Sequence, residues 1–234
     1  MQVYKWIKNA HFALLPPACL ICAAPASGQM EICDACRREL PWQSSGCRTC
    51  ALTLPDHADA AHCRDCQLRA PPFDTAHAAF RYASPVSELI TGLKFNARLA
   101  CGQLLGTLFC RSLPEKTDLP ERLIPVPLHP RRQAARGFNQ AGELALHMGG
   151  TLGIGITRSA LVRVRPTSVQ SDLPARRRAA NVKGAFRANP DAVAGRHLAL
   201  VDDVVTTSQT ARAAATALRR AGARRVDLWC LARA

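Results

Sequence analysis

The sequence predicts an α/β protein, a parallel sheet flanked by helices, preceded by a small module built on cysteine. Two observations carry this. Near the C-terminus, the apolar run Leu198-Ala-Leu-Val201 is followed by two acids, a hydroxyl-rich turn and a helical pattern. That is the order of a strand buried on both faces feeding a crossover helix. Near the N-terminus, eight of the eleven cysteines fall in four Cys-x-x-Cys pairs, all before residue 67. Residues 1–70 therefore read as one small domain and residues 71–234 as a larger one.

Composition narrows the classes. Hydrophobic residues make up 48% of the chain and charged residues 21%, an ordinary globular balance that argues against disorder. Aromatics are only 5%, so the core is built mainly from small aliphatic side chains. The net charge of +14 points to polyanionic partners such as nucleic acid, nucleotides or an acidic membrane face. No segment approaches the ~20 apolar residues that span a bilayer. Lys5 and Lys8 ahead of Phe12-Ala-Leu-Leu-Pro-Pro-Ala-Cys19 imitate an export leader, but Pro16 and Pro17 break the run and Cys19 belongs to a cysteine pair. The expected location is the cytoplasm, where thiols stay reduced and bind metal instead of pairing.

The pairs are Cys19/Cys22, Cys33/Cys36, Cys47/Cys50 and Cys63/Cys66, separated by ten, ten and twelve residues. A Cys-x-x-Cys turn offers two thiolates to one tetrahedral ion, and two such turns complete a four-sulfur shell. Four pairs thus imply two structural Zn²⁺ sites with no open position for chemistry. Sequential pairing is the simplest scheme, and an interleaved one satisfies the spacing as well. His57 and His62 read as loop residues, replacement of a thiolate being the alternative. Metal binding supplies most of the folding energy of so apolar-poor a segment. Cys101, Cys110 and Cys230 read as small buried hydrophobes.

Pro71 and Pro72 make a stiff joint. Residues 78–82 read as a short strand. Val86, Leu89, Ile90 and Leu93 have helical spacing, and a second helix runs from Leu99 to about Leu113. Lys94 and Arg98 project from this region towards a polyanion or solvent. Residues 122–126 read as a strand, with Pro125 tolerated at its end. Pro127-Leu-His-Pro130 reads as a rigid loop leaving it, and His129, Arg131, Arg132 and Arg136 follow. Guanidiniums bind phosphate oxygens bidentately, so this loop suits a diphosphate. A helix starts at about Gly137-Phe-Asn-Gln140 and stops at Gly149-Gly150. Residues 161–164 form a strand candidate. A polar stretch then carries Gln170 and Arg176, in the place of a loop that closes over the diphosphate.

The strand from Leu198 to Val201 ends at Asp202 and Asp203, and a helix runs from about Thr210 to Ala221. Ligands in open α/β sheets bind beyond the carboxyl ends of strands. Thr206, Thr207, Ser208, Gln209 and Thr210 lead into the helix N-terminus, whose free N–H groups stabilise an anion. Two acids beside a phosphate cradle suit sugar hydroxyls or a hard cation such as Mg²⁺. Together these describe a phosphorylated ribose. Residues 226–231 form the last strand, read as ending the sheet.

The stretch from Leu198 to Thr210 resembles the phosphoribosyl diphosphate (PRPP) motif of type I phosphoribosyltransferases. The resemblance implies that Asp202 and Asp203 contact ribose hydroxyls and that residues 206–210 hold the 5-phosphate. Ser208 stands where that family usually has Gly, which allows positive φ. With Ile124-Pro-Val-Pro-Leu-His-Pro130, Arg131-Arg-Gln-Ala-Ala-Arg-Gly-Phe-Asn-Gln-Ala141, Asn181-Val-Lys-Gly-Ala-Phe186 and the cysteine pairs, nearly the whole chain resembles the ComF family (ComFC and GntX-like proteins). This implies a double zinc ribbon followed by a phosphoribosyltransferase-like domain. It also implies a role in competence or DNA utilisation, assisting single-stranded DNA uptake. Single-stranded DNA, a helicase-type competence partner and peripheral association with an uptake complex are the partners it implies. The ligands it implies are PRPP, with Mg²⁺, a nucleotide, or a DNA 5′-phosphate end. The alternative is an active phosphoribosyltransferase joining PRPP to an unidentified base or amine.

Overall fold

The computed structural model describes residues 17–26, 30–55, 61–165 and 184–234. The leader-like stretch up to Pro16, together with His57, Gln170 and Arg176, lies outside the described residues. Seven strands and eight α-helices are described. The helices are α1 (Asp34–Arg38), α2 (Arg64–Leu68), α3 (Val86–Asn96), α4 (Leu99–Ser112), α5 (Pro130–Arg136), α6 (Gln140–Leu152), α7 (Pro190–Val193) and α8 (Gln209–Arg220). The strands are β1 (Ala76–Arg81), β2 (Arg122–Pro125), β3 (Gly155–Ile156), β4 (Leu161–Arg163), β5 (Phe186–Ala188), β6 (His197–Val205) and β7 (Arg225–Arg233).

Five strands form one parallel sheet in the order β1-β7-β6-β2-β3. The last strand therefore does not end the sheet, as its place in the sequence suggests. It returns from α8 to lie beside β6, and β1 pairs on its far side. Central strands read as unbroken apolar runs because both faces are covered. Leu198 and Leu200 of β6 pack with Ala211, Ala214, Ala215 and Leu218 of α8 on one face. Ala199 and Val201 pack with Leu144, Ala145 and Met148 of α6, and with α3 and α4, on the other. Side chains alternate along the strand, so one sequence run feeds two cores. The helices change sides between β2 and β6. That change makes a crevice at the carboxyl ends of those two strands.

Pro125 sits at the last β2 position, opposite Val201, beyond the two residues that pair with β3. Its missing N–H leaves no ladder bond unmade there. Strands β4 and β5 form a separate antiparallel ribbon. One helix departs from the sequence expectation. Residues 130–136 form α5 where a loop was expected. Its signals are local: His129 caps it through Nδ1, which accepts from the Arg131 N–H at 3.3 Å, Pro130 occupies the first turn, and Gly137 closes it at φ 82°.

The cysteines converge as the sequential scheme requires. The sulfurs of Cys19, Cys22, Cys33 and Cys36 lie within 4.8 Å of one another, as do those of Cys47, Cys50, Cys63 and Cys66. Four thiolates at that spacing make the donor set of a structural Zn²⁺ site. The two units repeat in backbone detail. Ala23 and Ala51 follow the first pair of each unit at φ 60° and 55°, and each second pair starts a one-turn helix, α1 or α2. His62 is no ligand; its Nδ1 lies 2.8 Å from Thr49 Oγ1.

The segment between the units joins the sheet. Trp42 bridges Phe80 in antiparallel sense, Gln43 N–H donates to Ala79 O at 2.9 Å, and Arg81 N–H donates to Pro41 O at 2.8 Å. This covers the free edge of β1. The first cysteine unit packs into the core cluster on the α3–α4–α6 face, and the second into the cluster on the α8 face. The ribbons thus clasp one edge of the sheet from both sides. Cys101 and Cys230 are buried, as expected of small hydrophobes, while Cys110 is half-buried.

Because the second unit shares its core with the sheet, metal loss should reach beyond the ribbons. Metal analysis of reduced protein should find two zinc ions per chain. Cys63→Ser should lower the stability of the whole chain by several kcal/mol, read as a shifted single urea transition. A normal sheet transition after zinc removal would contradict the shared core.

Candidate functional site

The crevice is formed by the ends of β6 and β2. β6 continues four residues beyond Val201, because its ladder with β7 runs on to the Val204–Ala232 and Val205–Arg233 pairs. Asp202 and Asp203 are therefore strand residues with side chains on opposite faces. Asp203 is 4% exposed and faces α3, where Lys94 Nζ lies 2.8 Å from its Oδ2. Lys94 is thus engaged with the acid pair, where the sequence left it facing a polyanion or solvent. Asp202 Oδ1 accepts from the Asp203 N–H at 2.9 Å, and Asp203 Oδ1 accepts from the Val204 N–H at 2.7 Å. Burial and the neighbouring Asp203 carboxylate push the Asp202 carboxyl well above the usual carboxylate range, against the opposing pull of Lys94.

Beyond Val205 the chain turns through Thr206, Thr207 and Ser208 into α8. Ser208 is buried and adopts φ 59°, ψ 6°, and its carbonyl accepts from the Arg212 N–H at 2.8 Å. The residue in the glycine position of the motif therefore keeps the left-handed backbone that glycine favours. Thr207 Oγ1 is buried without a hydrogen-bond partner. Asp202, Thr206, Ser208, Gln209 and Thr210 line a hollow of about 30 Å³. A space of that size receives single oxygens, so a phosphoryl group would seat its oxygens there and not its whole volume.

A buried arginine holds this turn from below. Arg233, 6% exposed at the end of β7, donates through Nη1 to the Val205 carbonyl at 2.8 Å and to the Thr206 carbonyl. Its Nε donates to the carbonyl of Cys50 at 3.2 Å. One guanidinium thus bridges the second cysteine unit and the loop after β6. The sequence expectation did not include Arg233, although a charge directly after the apolar run Leu228-Trp-Cys-Leu-Ala232 signals a buried group that needs partners.

On the β2 side, His129, Arg131, Arg132 and Arg136 all belong to α5 or its cap. Arg131 is exposed and Arg132 half-buried. Arg136 donates to Gln140 Oε1 at 2.6 Å, and its guanidinium lies over the Phe95 ring, 5.2 Å from the centroid. Asn139 caps α6 by accepting from the Ala141 N–H at 3.1 Å, and its Nδ2 donates to the Val126 carbonyl at 3.0 Å. This ties the start of α6 to the end of β2. A cavity of about 460 Å³ opens there, with Pro127, Leu128, Phe138, Asn139, Arg158 and Arg163 among its walls. Arg163 stacks on Phe186 at 5.4 Å. Burial and the nearby Arg132 charge lower its proton affinity, and Asp202 acts in the opposite sense.

The strained turn gives a test. An L-residue in the left-handed region costs roughly 1–2 kcal/mol, and glycine escapes that cost at the expense of about 0.5–1 kcal/mol of chain entropy. In urea unfolding, Ser208→Gly should match or exceed wild-type stability. Ser208→Val should lose at least ~1 kcal/mol. A clear loss in the glycine variant would contradict the assigned backbone.

Residues 11–67 match the double zinc ribbon domain. Over 225 residues, 94% of this chain and 98% of the relative, the chain is 37% identical to DNA utilization protein YhgH of Shigella flexneri. It is 35% identical over the same span to the protein of that name in Salmonella typhi. It is 32% identical to competence protein F of Haemophilus influenzae over 210 residues, 87% of this chain and 90% of that one. Among solved structures, glutamine phosphoribosylpyrophosphate amidotransferase from B. subtilis, complexed with ADP and GMP, aligns with 21% identity and a TM-score of 0.39. That alignment covers 55% of this chain and 25% of the amidotransferase. Among the described residues no helix is long and apolar enough to cross a membrane. With double zinc ribbon, parallel sheet and full-length relatives in agreement, the chain belongs to the ComF-like family that includes DNA utilization protein YhgH and competence protein F.

Proposed function

We propose that this protein assists the uptake and use of single-stranded DNA in the cytoplasm, and that the corner between β6 and α8 holds a phosphorylated ribose, as PRPP or a nucleotide. Residues 1–70 act as the zinc-built clasp and residues 71–234 as the phosphoribosyltransferase-like part. The observation that carries the site is the succession at the end of β6. An acid pair, two valines on, gives way to a turn of hydroxyls, with Ser208 in a left-handed backbone at the start of a twelve-residue helix. The names of the relatives and the +14 charge support the role with DNA.

The roles follow from the chemistry. Free N–H groups at the start of α8, with the hydroxyls of Thr206, Thr207 and Thr210, receive the phosphate oxygens. Asp203, held by Lys94, accepts from a ribose hydroxyl. Asp202 accepts from the neighbouring ribose hydroxyl, and a cation there would favour its carboxylate over the protonated form that burial and Asp203 favour. His129, Arg131, Arg132, Arg136 and Arg163 face the negative charge of a diphosphate. Lys94 already occupies Asp203, so the residues present fit Mg²⁺ through Asp202, with ligand oxygens completing the shell. Mg²⁺ there would neutralise diphosphate charge.

The cavity of about 460 Å³ beside β2 favours a second reading, transfer of the phosphoribosyl group to a base or amine. In that reading the anomeric C–O bond breaks, diphosphate leaves with the electron pair, and the lone pair of the acceptor nitrogen forms the new C–N bond as its proton passes to the departing diphosphate. Basic side chains stabilise the leaving charge.

Calorimetric titration with PRPP, with and without Mg²⁺, tests the site. Asp202→Asn/Asp203→Asn should bind at least about tenfold more weakly, a loss of ~1.4 kcal/mol. Unchanged affinity would reject the assignment. Binding of single-stranded DNA should fall steeply with rising salt, and a flat salt dependence would reject phosphate contacts to DNA.

A further inference from the structure

Phe95 is the one described phenylalanine that is largely exposed, at 70%, in a chain whose other described phenylalanines are buried or half-buried. It sits in the last turn of α3, next to Lys94, whose Nζ contacts Asp203 at 2.8 Å. The end of α3 is thereby held against the carboxyl end of β6. Arg136, from the last turn of α5, lies over the Phe95 ring at 5.2 Å and is fixed by its bond to Gln140. Leu99, 50% exposed, begins the next helix after the left-handed turn at Ala97. α3 and α5 thus bring an aromatic plane and a guanidinium plane together, next in sequence to the lysine that meets Asp203.

We propose that Phe95 and Arg136 form a stacking platform for the nucleobase of a 5′-phosphorylated nucleoside whose sugar lies at Asp202 and Asp203. The proposal rests on the phosphoribosyl reading of the β6–α8 corner and supplies the base subsite. A nucleobase is the ligand that suits both surfaces. Its π-face stacks on phenylalanine, and guanidinium planes stack on bases as they do on aromatic rings. Phe95 is fixed in place by a guanidinium on one side and is otherwise open to solvent, so it covers apolar area only when a planar ligand arrives. Stacking of this kind is tolerant of base identity. The base belongs either to a free nucleotide or to the 5′-terminal residue of a single strand, which share this chemistry.

The test compares affinities of the zinc-loaded full chain for ribose 5-phosphate, AMP and a 5′-phosphorylated oligodeoxyadenylate. Wild type should hold the two base-bearing ligands about tenfold or more tighter than the sugar phosphate. Phe95→Ala should abolish that advantage and leave ribose 5-phosphate binding unchanged, and Phe95→Tyr should retain it. Loss for both base-bearing ligands identifies the free nucleotide as sufficient; loss for the oligonucleotide alone identifies the strand end. An unchanged ratio in Phe95→Ala overturns the platform while the phosphoribosyl site stands. Failure of wild type to bind ribose 5-phosphate overturns the site reading, and the platform with it.

Discussion

A single buried guanidinium organises the working end of this molecule. Arg233 is the buried last residue of β7, and a buried charge is costly unless its donors are satisfied. Its partners are main-chain carbonyls from two otherwise distant places, Cys50 in the second cysteine unit and Val205 and Thr206 in the turn after β6. Removing those carbonyls would leave the charge stranded, and removing the charge would leave buried carbonyls bare. The arrangement therefore fixes the turn as firmly as it fixes the ribbon. It ties the metal-built module to the turn at the carboxyl end of β6.

The same economy runs through the fold. The two cysteine units do not stand apart from the sheet. Residues 41–43 cap the β1 edge, and each unit extends one of the two apolar cores. The change of helix side between β2 and β6 opens the crevice, and strand alternation sends Asp202 and Asp203 to opposite faces. Asp203 is buried and meets Lys94 directly, while Asp202 lines the hollow before α8. An acid pair read as a unit in sequence thus becomes two groups in different surroundings.

Much of this was legible in the residues. The apolar run at Leu198, the helical spacing from Ala211 to Leu218 and the repeat of Cys-x-x-Cys follow local rules that the fold obeys. The motif marked position 208 as one where glycine allows positive φ, and the structure shows that Ser208 adopts that backbone all the same. What sequence could not supply came from pairing across the sheet. β6 runs on to Val205 because β7 continues beside it, and β7 lies inside the sheet because β1 takes the outer place. Lys94 meets Asp203 across more than a hundred residues, and no local pattern announces such a contact. The helix at residues 130–136 was different, for its cap, its proline and its closing glycine were all present and pointed to a helix. Gln170 and Arg176 fall outside the described residues.

The link through Arg233 is the claim on which the account turns, and amide hydrogen exchange tests it directly. Lysine keeps the charge but lacks the planar fork that reaches both sets of carbonyls. In Arg233→Lys, exchange at residues 205–209 should quicken together with that around Cys50, while the amides of β2 and α6 keep their protection. Exchange at the turn that stays as slow as in the wild type would show that the turn holds its shape unaided, and the account would fail.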